Sequence, residues 1–300
     1  MPTTDVGSTV PRRQLGRELR KLRETARLTV EEAAEQLELS RVKMWRIEKG
    51  STAMRSLDVE QMCRLYGHAT DAEITQALMA LARETKAKGW WQSYGDVIPT
   101  SFELYVGLEA AAAGISWYEP DVVPGLLQTE AYARTILDKG GPKEFEPAEL
   151  DRRVALRMER QKLLMRKKPA PLRLDVVLGE AVLRRAVGSP TVMAEQLRHL
   201  LIVSEQVPSV EIRLVDYSVG VHQALEIGSF EMLEFPLTPD GKRTEPSTTY
   251  VSLGCGALYL EKPREISYYQ KVWRNLHESA LDEAATRDRI AAAIEEMENP

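Results

Sequence analysis

The chain has 300 residues, 43% of them hydrophobic and 28% charged, with a formal net charge of −5. Those proportions belong to a soluble globular protein, and the length predicts two domains. No apolar run approaches a membrane span, and the opening MPTTDVGSTVPRR lacks the apolar core of a signal peptide. A cytoplasmic protein without a membrane partner is expected.

A net negative charge argues at first against a nucleic-acid partner, but its distribution does not. Residues 1–66 carry thirteen Lys or Arg and ten Asp or Glu, whereas the remainder carries 27 basic and 35 acidic residues. A basic head on an acidic body predicts that only the head meets phosphate. Cys63 and Cys255 fall in different predicted domains, which suits neither a disulfide framework nor a zinc site. Cys63 sits in an apolar helix and reads as a buried thiol.

Residues 1–12 are polar and carry Gly, Pro and Thr, the composition of a disordered arm. Leu15, Leu19, Leu22 and Ala26 then step at helical spacing. Arg12, Arg13 and Arg17 open that helix and either reach phosphates or are merely solvated. Thr29 to Gly50 reads TVEEAAEQLELSRVKMWRIEKG, two short helices joined by a tight turn. Thr29 is an N-cap with Glu31 and Glu32 in the favoured first turn, and Ser40 caps the second helix. Gly50 ends the second helix. Val42, Met44 and Ile47 supply its apolar positions. The outward positions include Arg41, Lys43, Trp45, Arg46 and Lys49, a basic face bearing an aromatic. A helix-turn-helix presents such a face to a major groove, whereas an ordinary helical hairpin leaves it solvated. Val59, Met62, Leu65 and Tyr66 predict a fourth helix, and Ile74, Leu78 and Leu81 a fifth.

The order LGRELRKLRETARLTVEEAAEQLELS…RIEKGS resembles the XRE (Cro/C1-type) helix-turn-helix family over about Gln14 to Tyr66. Glu38 departs from the pattern, standing at a turn position usually held by glycine. A left-handed backbone there costs an L-residue roughly 1 kcal/mol.

Asp71 to Lys86 is amphipathic and Gly89 interrupts it. The domain boundary is expected near Lys86 to Gly95, with Trp90, Trp91 and Tyr94 as packing anchors. Beyond it, helices are expected over 102–113, from Thr129 to about 137, and over 147–168, 180–187 and 191–206. Arg264 to Met297 reads as two helices broken near Asp282. Extended segments are expected at 115–123, 172–178, 210–215, 227–235, 249–253 and 257–260. Strands mixed with helices, without a regular βαβ beat, read as α+β. The predicted fold class is a small all-α five-helix helix-turn-helix head at 13–86 after the arm at 1–12. A larger mixed α+β domain follows at 87–300.

GWWQSYGDVIP, ISWYEPDVVPGLLQTEAYAR and LGEAVLRRAVG, with a late YLE ending at Glu261, resemble the C-terminal domain of WhiJ-like actinobacterial regulators. That resemblance implies transcriptional control beside a small partner protein encoded nearby, and an antitoxin-like role in some members. The PGLLQT turn reads as core packing, as one wall of a small-molecule pocket, or as a partner surface.

His68, His199, His222 and His277 make no metal-ligand spacing, and no phosphate loop or nucleophile elbow occurs. Cys255 in LGCGA reads as a bulged strand rather than a nucleophile turn. Neither an enzyme, a cofactor nor a metal is expected. The reading is a homodimeric regulator, most simply a repressor, that binds double-stranded DNA at an inverted repeat. Arg41, Val42, Lys43 and Arg46 are the candidate base contacts. Arg13, Arg17, Thr29, Trp45, Lys49, Ser51 and Arg55 are the candidate backbone contacts, with internal packing as the alternative for Trp45. The rival reading is an antitoxin-like protein that sequesters a small partner and autoregulates its operon.

Overall fold

The computed structural model describes residues 9–140, 144–238, 240–253 and 256–298, with backbone alone at 100 and 101. The chain divides into two compact units. The first comprises Met1–Gln92, Gly107–Ala111 and Leu237–Glu245, and the second Ser93–Val106, Ala112–Pro236 and Pro246–Pro300.

The first unit is built on α1 (Thr9–Thr25), α2 (Val30–Gln36), α3 (Arg41–Glu48), α4 (Ser56–Leu65) and α5 (Glu73–Glu84). Residues 9–12, expected in a disordered arm, are helical, while residues 1–8 of that arm lie outside the described residues. The helix starts early because it is anchored. Val10 is buried, and Arg12 Nε donates to the Thr85 carbonyl at 2.9 Å. Leu15, Leu19, Ala34, Met44, Ile47 and Val59 meet in one core. Cys63 is buried in it, as its apolar helix predicted. Leu78 and Ala82 of α5 also enter this core, so α5 spends its apolar stripe inside the unit.

Four successive helices end alike. A residue with positive φ follows each: Arg27 at 59°, Glu38 at 54°, Gly50 at 69° and Gly67 at 88°. After α2, Glu38 N–H returns to the Glu35 carbonyl at 3.1 Å and Leu39 N–H to the Ala34 carbonyl at 2.8 Å. After α3, Gly50 and Ser51 repeat this with Ile47 and Arg46, at 3.0 and 2.9 Å. These paired bonds satisfy carbonyls that a helix end leaves open. Glycine adopts such a backbone freely, whereas Arg27 and Glu38 adopt it against their Cβ.

The second unit holds a mixed six-stranded sheet among the described residues. In chain order come α6 (Thr100–Ala111), whose last five residues group with the first unit, and β1 (Gly114–Glu119). They are followed by α7 (Glu130–Gly140), α8 (Pro147–Gln161), β2 (Arg173–Gly179), α9 (Ala181–Arg184) and α10 (Pro190–Gln206). Next are β3 (Val210–Val215), α11 (Ala224–Ile227), β4 (Phe230–Glu234), β5 (Thr248–Leu253) and β6 (Gly256–Leu260). The helices α12 (Pro263–Ser279) and α13 (Glu283–Glu298) close the unit, broken at 280–282 as expected. Helix α8 stops at Gln161 and a single 3-10 turn follows to Leu164, short of the expected 168. Leu163 and Leu164 are drawn into the core there, and Pro169 and Pro171 cannot continue a helix.

The strand order is β3-β2-β1-β4-β5-β6. Strands β1, β2 and β3 run parallel, with Trp117 beside Val176 and Val176 beside Ile212. The pairs β1–β4, β4–β5 and β5–β6 are antiparallel. A parallel half therefore exists where no βαβ beat was expected. The crossover from β1 to β2 carries both α7 and α8, which hides the period. Val272 and Leu276 of α12 pack with Tyr118, Val177 and Phe230 of the sheet. Leu126 and Leu127 of the PGLLQT turn are buried, as the packing reading required. Gln196 of α10 braces that turn: its amide donates to the Leu127 carbonyl and accepts from Thr129 N–H, both at 2.7 Å. Residues 254 and 255 of the LGCGA segment lie outside the described residues.

Replacing Glu38 by glycine relieves the left-handed strain and gives back part of it as unfolded-chain entropy. The expected net gain is about 0.5–1 kcal/mol. Amide hydrogen exchange of α2 and α3 reads it as slower opening; unchanged or faster opening would refute it.

Candidate nucleic-acid interface

Helices α2 and α3 are set by short-range caps. Thr29 Oγ1 accepts from Glu32 N–H at 3.2 Å, and the Glu32 carboxylate accepts from Thr29 N–H at 2.8 Å. The Thr29 backbone bond, then its hydroxyl, holds the Glu32 carboxyl below its ordinary range. Ser40 Oγ accepts from Lys43 N–H at 3.1 Å and starts α3.

The placement of α3 against α1 is tighter than side chains allow. A Cβ on Gly16 would lie 2.5 Å from the Ile47 carbonyl oxygen, and one on Gly50 would lie 2.5 Å from Arg13 Cα. Arg23 of α1 then grips the last residue of α3. Its Nε and Nη2 meet the two Glu48 carboxylate oxygens at 2.5 and 2.9 Å, and Nη1 donates to the Leu28 carbonyl at 2.7 Å. Both side chains are only 8% exposed. The bond to Glu48 raises the Arg23 pKa above its ordinary value. Burial, followed by the Glu48 charge, pushes the neighbouring Tyr66 phenol upward.

So fixed, α3 buries Met44 and Ile47 and exposes Arg41, Val42, Lys43, Trp45, Arg46 and Lys49. Trp45 is 55% exposed, which rules out its internal packing. Arg41 is exposed but its Nε lies 2.7 Å from a Glu31 carboxylate oxygen on α2. Ser51 is exposed just past the helix. Arg55 is exposed and bonds Asp58 through Nε and Nη2 at 3.0 and 2.7 Å. That bond holds the Asp58 carboxyl low. Thr29 is exposed, with its hydroxyl engaged in the cap.

Arg13 and Arg17, expected at phosphates, have a partner inside the head. They face Glu245, a fully buried carboxylate more than two hundred residues downstream. Arg13 Nε lies 2.6 Å from it, and the Arg17 guanidinium meets both of its oxygens at 2.7 and 2.9 Å. A buried carboxylate demands such partners, so both arginines are held in a structural ion pair. Nothing in the local sequence announces Glu245, which ends the short turn of Leu237–Glu245. Glu31 and the Arg23–Glu48 pair were also missed, because a charge pair between helices leaves no periodic trace.

Glu48→Ala strands the Arg23 cation in the core and should cost about 3–5 kcal/mol. The double variant Arg23→Met, Glu48→Leu should lie closer to wild type than either single change. Urea unfolding of the three variants checks this; a double variant as unstable as the worse single would refute it.

Two family models match the chain. One is described as a helix-turn-helix domain and matches residues 14–77. The other is described as a domain of unknown function (DUF5753) and matches residues 102–292. No curated protein and no solved structure matches. Among the described residues, no helix is long and apolar enough to cross a membrane. The second model covers more than half of the chain, which therefore belongs to the DUF5753 family and carries a helix-turn-helix domain, the module of DNA-binding regulators, ahead of that domain.

Proposed function

We propose that the protein is a homodimeric, sequence-specific repressor of transcription in the cytoplasm, and not an enzyme. The observation that carries the reading is the outward face of α3. A basic helix with an exposed Val42 and Trp45 is held at a set angle by the Arg23–Glu48 pair and the close contact at Gly16. Arg46 and Arg41 would pair with guanine edges, Val42 would meet a thymine methyl, and Lys43 would reach a neighbouring base. Arg41 would exchange Glu31 for DNA. Lys49, Ser51 and Arg55 would contact the backbone, with Thr29 at the start of α2. Trp45 stands among these residues and would press on the sugar-phosphate backbone. The larger unit, WhiJ-like by resemblance, would dimerise and receive a signal.

A second reading, an antitoxin-like protein holding a small partner, is favoured by one observation. Tyr217, Val221 and Leu225 are exposed within a nine-residue segment of the second unit.

Arg46→Ala should weaken binding to the specific operator by about 1–3 kcal/mol and hardly change binding to random DNA. Fluorescence anisotropy at one fixed salt concentration reads both. An equal loss on both sequences would reduce Arg46 to a phosphate contact.

Light scattering of the full chain should return twice the chain mass across the micromolar range. A standard interface buries about 800 Å² per partner. With α5 spent in the head core, α8, α12 and α13 are left to supply it. A paired operator with half-sites roughly 34 Å apart follows from the two-fold axis. A monomer would overturn the dimer, and a heteromeric mass would favour the partner-holding reading.

A further inference from the structure

The second unit contains a cleft of about 490 Å³ between α8, the strand β5 and the residues leading into α6. That volume lies in the range of small-molecule sites. Arg153, Arg157 and Arg160 line it from one face of α8, spaced by four and three residues. Among the described residues that line it there is no Asp or Glu, although the chain beyond residue 66 is acidic overall.

The arginines are placed by neighbours. Arg160 is 4% exposed, with its guanidinium 5.1 Å from the Phe102 ring centre and 5.4 Å from that of Tyr105. Arg153 lies over the Phe145 ring at 4.2 Å and shares its charge with Glu149 at 2.9 Å. Arg157 Nη1 donates to Gln128 Oε1 at 2.7 Å. Gln128 is itself held by donating to the Val123 carbonyl at 2.7 Å. Gln161 ties the end of α8 to the same turn, donating to the Gln128 carbonyl at 2.6 Å and the Gly125 carbonyl at 3.2 Å. The PGLLQT turn is thus the backing that aims the arginine row. Phe102, Leu137, Leu156 and Tyr250 supply apolar walls, and Ser252 a hydroxyl.

We propose that this cleft binds a small organic anion, a carboxylate or phosphate carried on a flat apolar body. Guanidinium groups in a fork geometry recognise either anion, and the aromatic walls take the body. The inference rests on the reading of the larger unit as the signal receiver and names the chemistry of the signal.

Isothermal titration calorimetry on the full chain, without DNA, tests it. Phenyl phosphate and benzoate are the probes, with inorganic phosphate and benzyl alcohol as comparisons. Either aromatic anion should bind saturably, at least about tenfold tighter than benzyl alcohol, since a charge-assisted bond is worth that much. Phenyl phosphate binding should exceed that of inorganic phosphate if the walls take part. Arg157→Gln should weaken the aromatic anion about tenfold or more, and Arg198→Gln, outside the cleft lining and paired with Glu298, should not. Should Arg157→Gln fail to fold by circular dichroism, Arg153→Gln at the same cleft takes its place. No saturable binding, equal binding of the neutral alcohol, or unchanged affinity in the cleft variants overturns the site. Failure of the signal role is read separately. Anion binding that leaves operator affinity unchanged would overturn that role and leave the site standing.

Discussion

The bond between Arg23 and Glu48 is what the head depends on. It joins the end of α1 to the end of α3 inside the core, with both side chains nearly sealed from water. Its geometry is bidentate, and the third arginine donor holds the Leu28 carbonyl in the turn before α2. One guanidinium therefore references three elements at once. A buried pair of this kind adds little net stability over an apolar substitute, but losing one partner is expensive. Its value is in specificity of arrangement. With the backbone contacts at Gly16 and Gly50, the pair ties the end of α3 to α1 in one register. Gly16 makes that register possible by letting the backbones approach where a Cβ would overlap the Ile47 carbonyl.

Much of the head was legible in its sequence because its decisive signals are local. Thr29 and Ser40 cap the helices they precede, and Gly50 closes α3. Glu38 was recognised as the residue in the glycine position, and its backbone is left-handed. What was not legible is long-range. The reach of Glu245 to Arg13 and Arg17 spans most of the chain, and no local pattern at those arginines shows it. In the larger unit, strands such as Val210–Val215 were visible as runs of β-formers, but their partners were not. The order β3-β2-β1-β4 depends on crossovers, and a two-helix crossover has no period to read. The arginine row on α8 showed only as a charged helix; the ring stacking and the turn behind it belong to tertiary structure.

The charge pattern gains meaning from these placements. Two kinds of arginine in the head differ in role. Arg13, Arg17 and Arg23 are set against buried carboxylates, where they hold elements together. Arg46 stands in solvent on α3, with Lys49 beside it. Counting basic residues along the chain mixes these classes. Arg23 and Glu48 cancel, whereas Arg13 and Arg17 share one carboxylate, so part of the head's positive excess is held inside it and the exposed part includes the α3 face.

Exposure of Trp45 and Val42 bears on what that face is for. A helix face that is only solvated gains nothing from a large aromatic and a β-branched residue in water, and Val42 has no advantage there in helix propensity either. The core does not need them, because Met44 and Ile47 already fill it. Single exposed apolar residues are ordinary on a protein surface, but here two of them share a helix face with cations, and a partner that covers the face must suit both. The partner must also welcome the cations, which excludes an apolar protein surface. A groove edged by phosphates and floored by base edges and methyl groups meets both conditions. The two exposed apolar residues thus support the DNA-binding reading together with the charges around them.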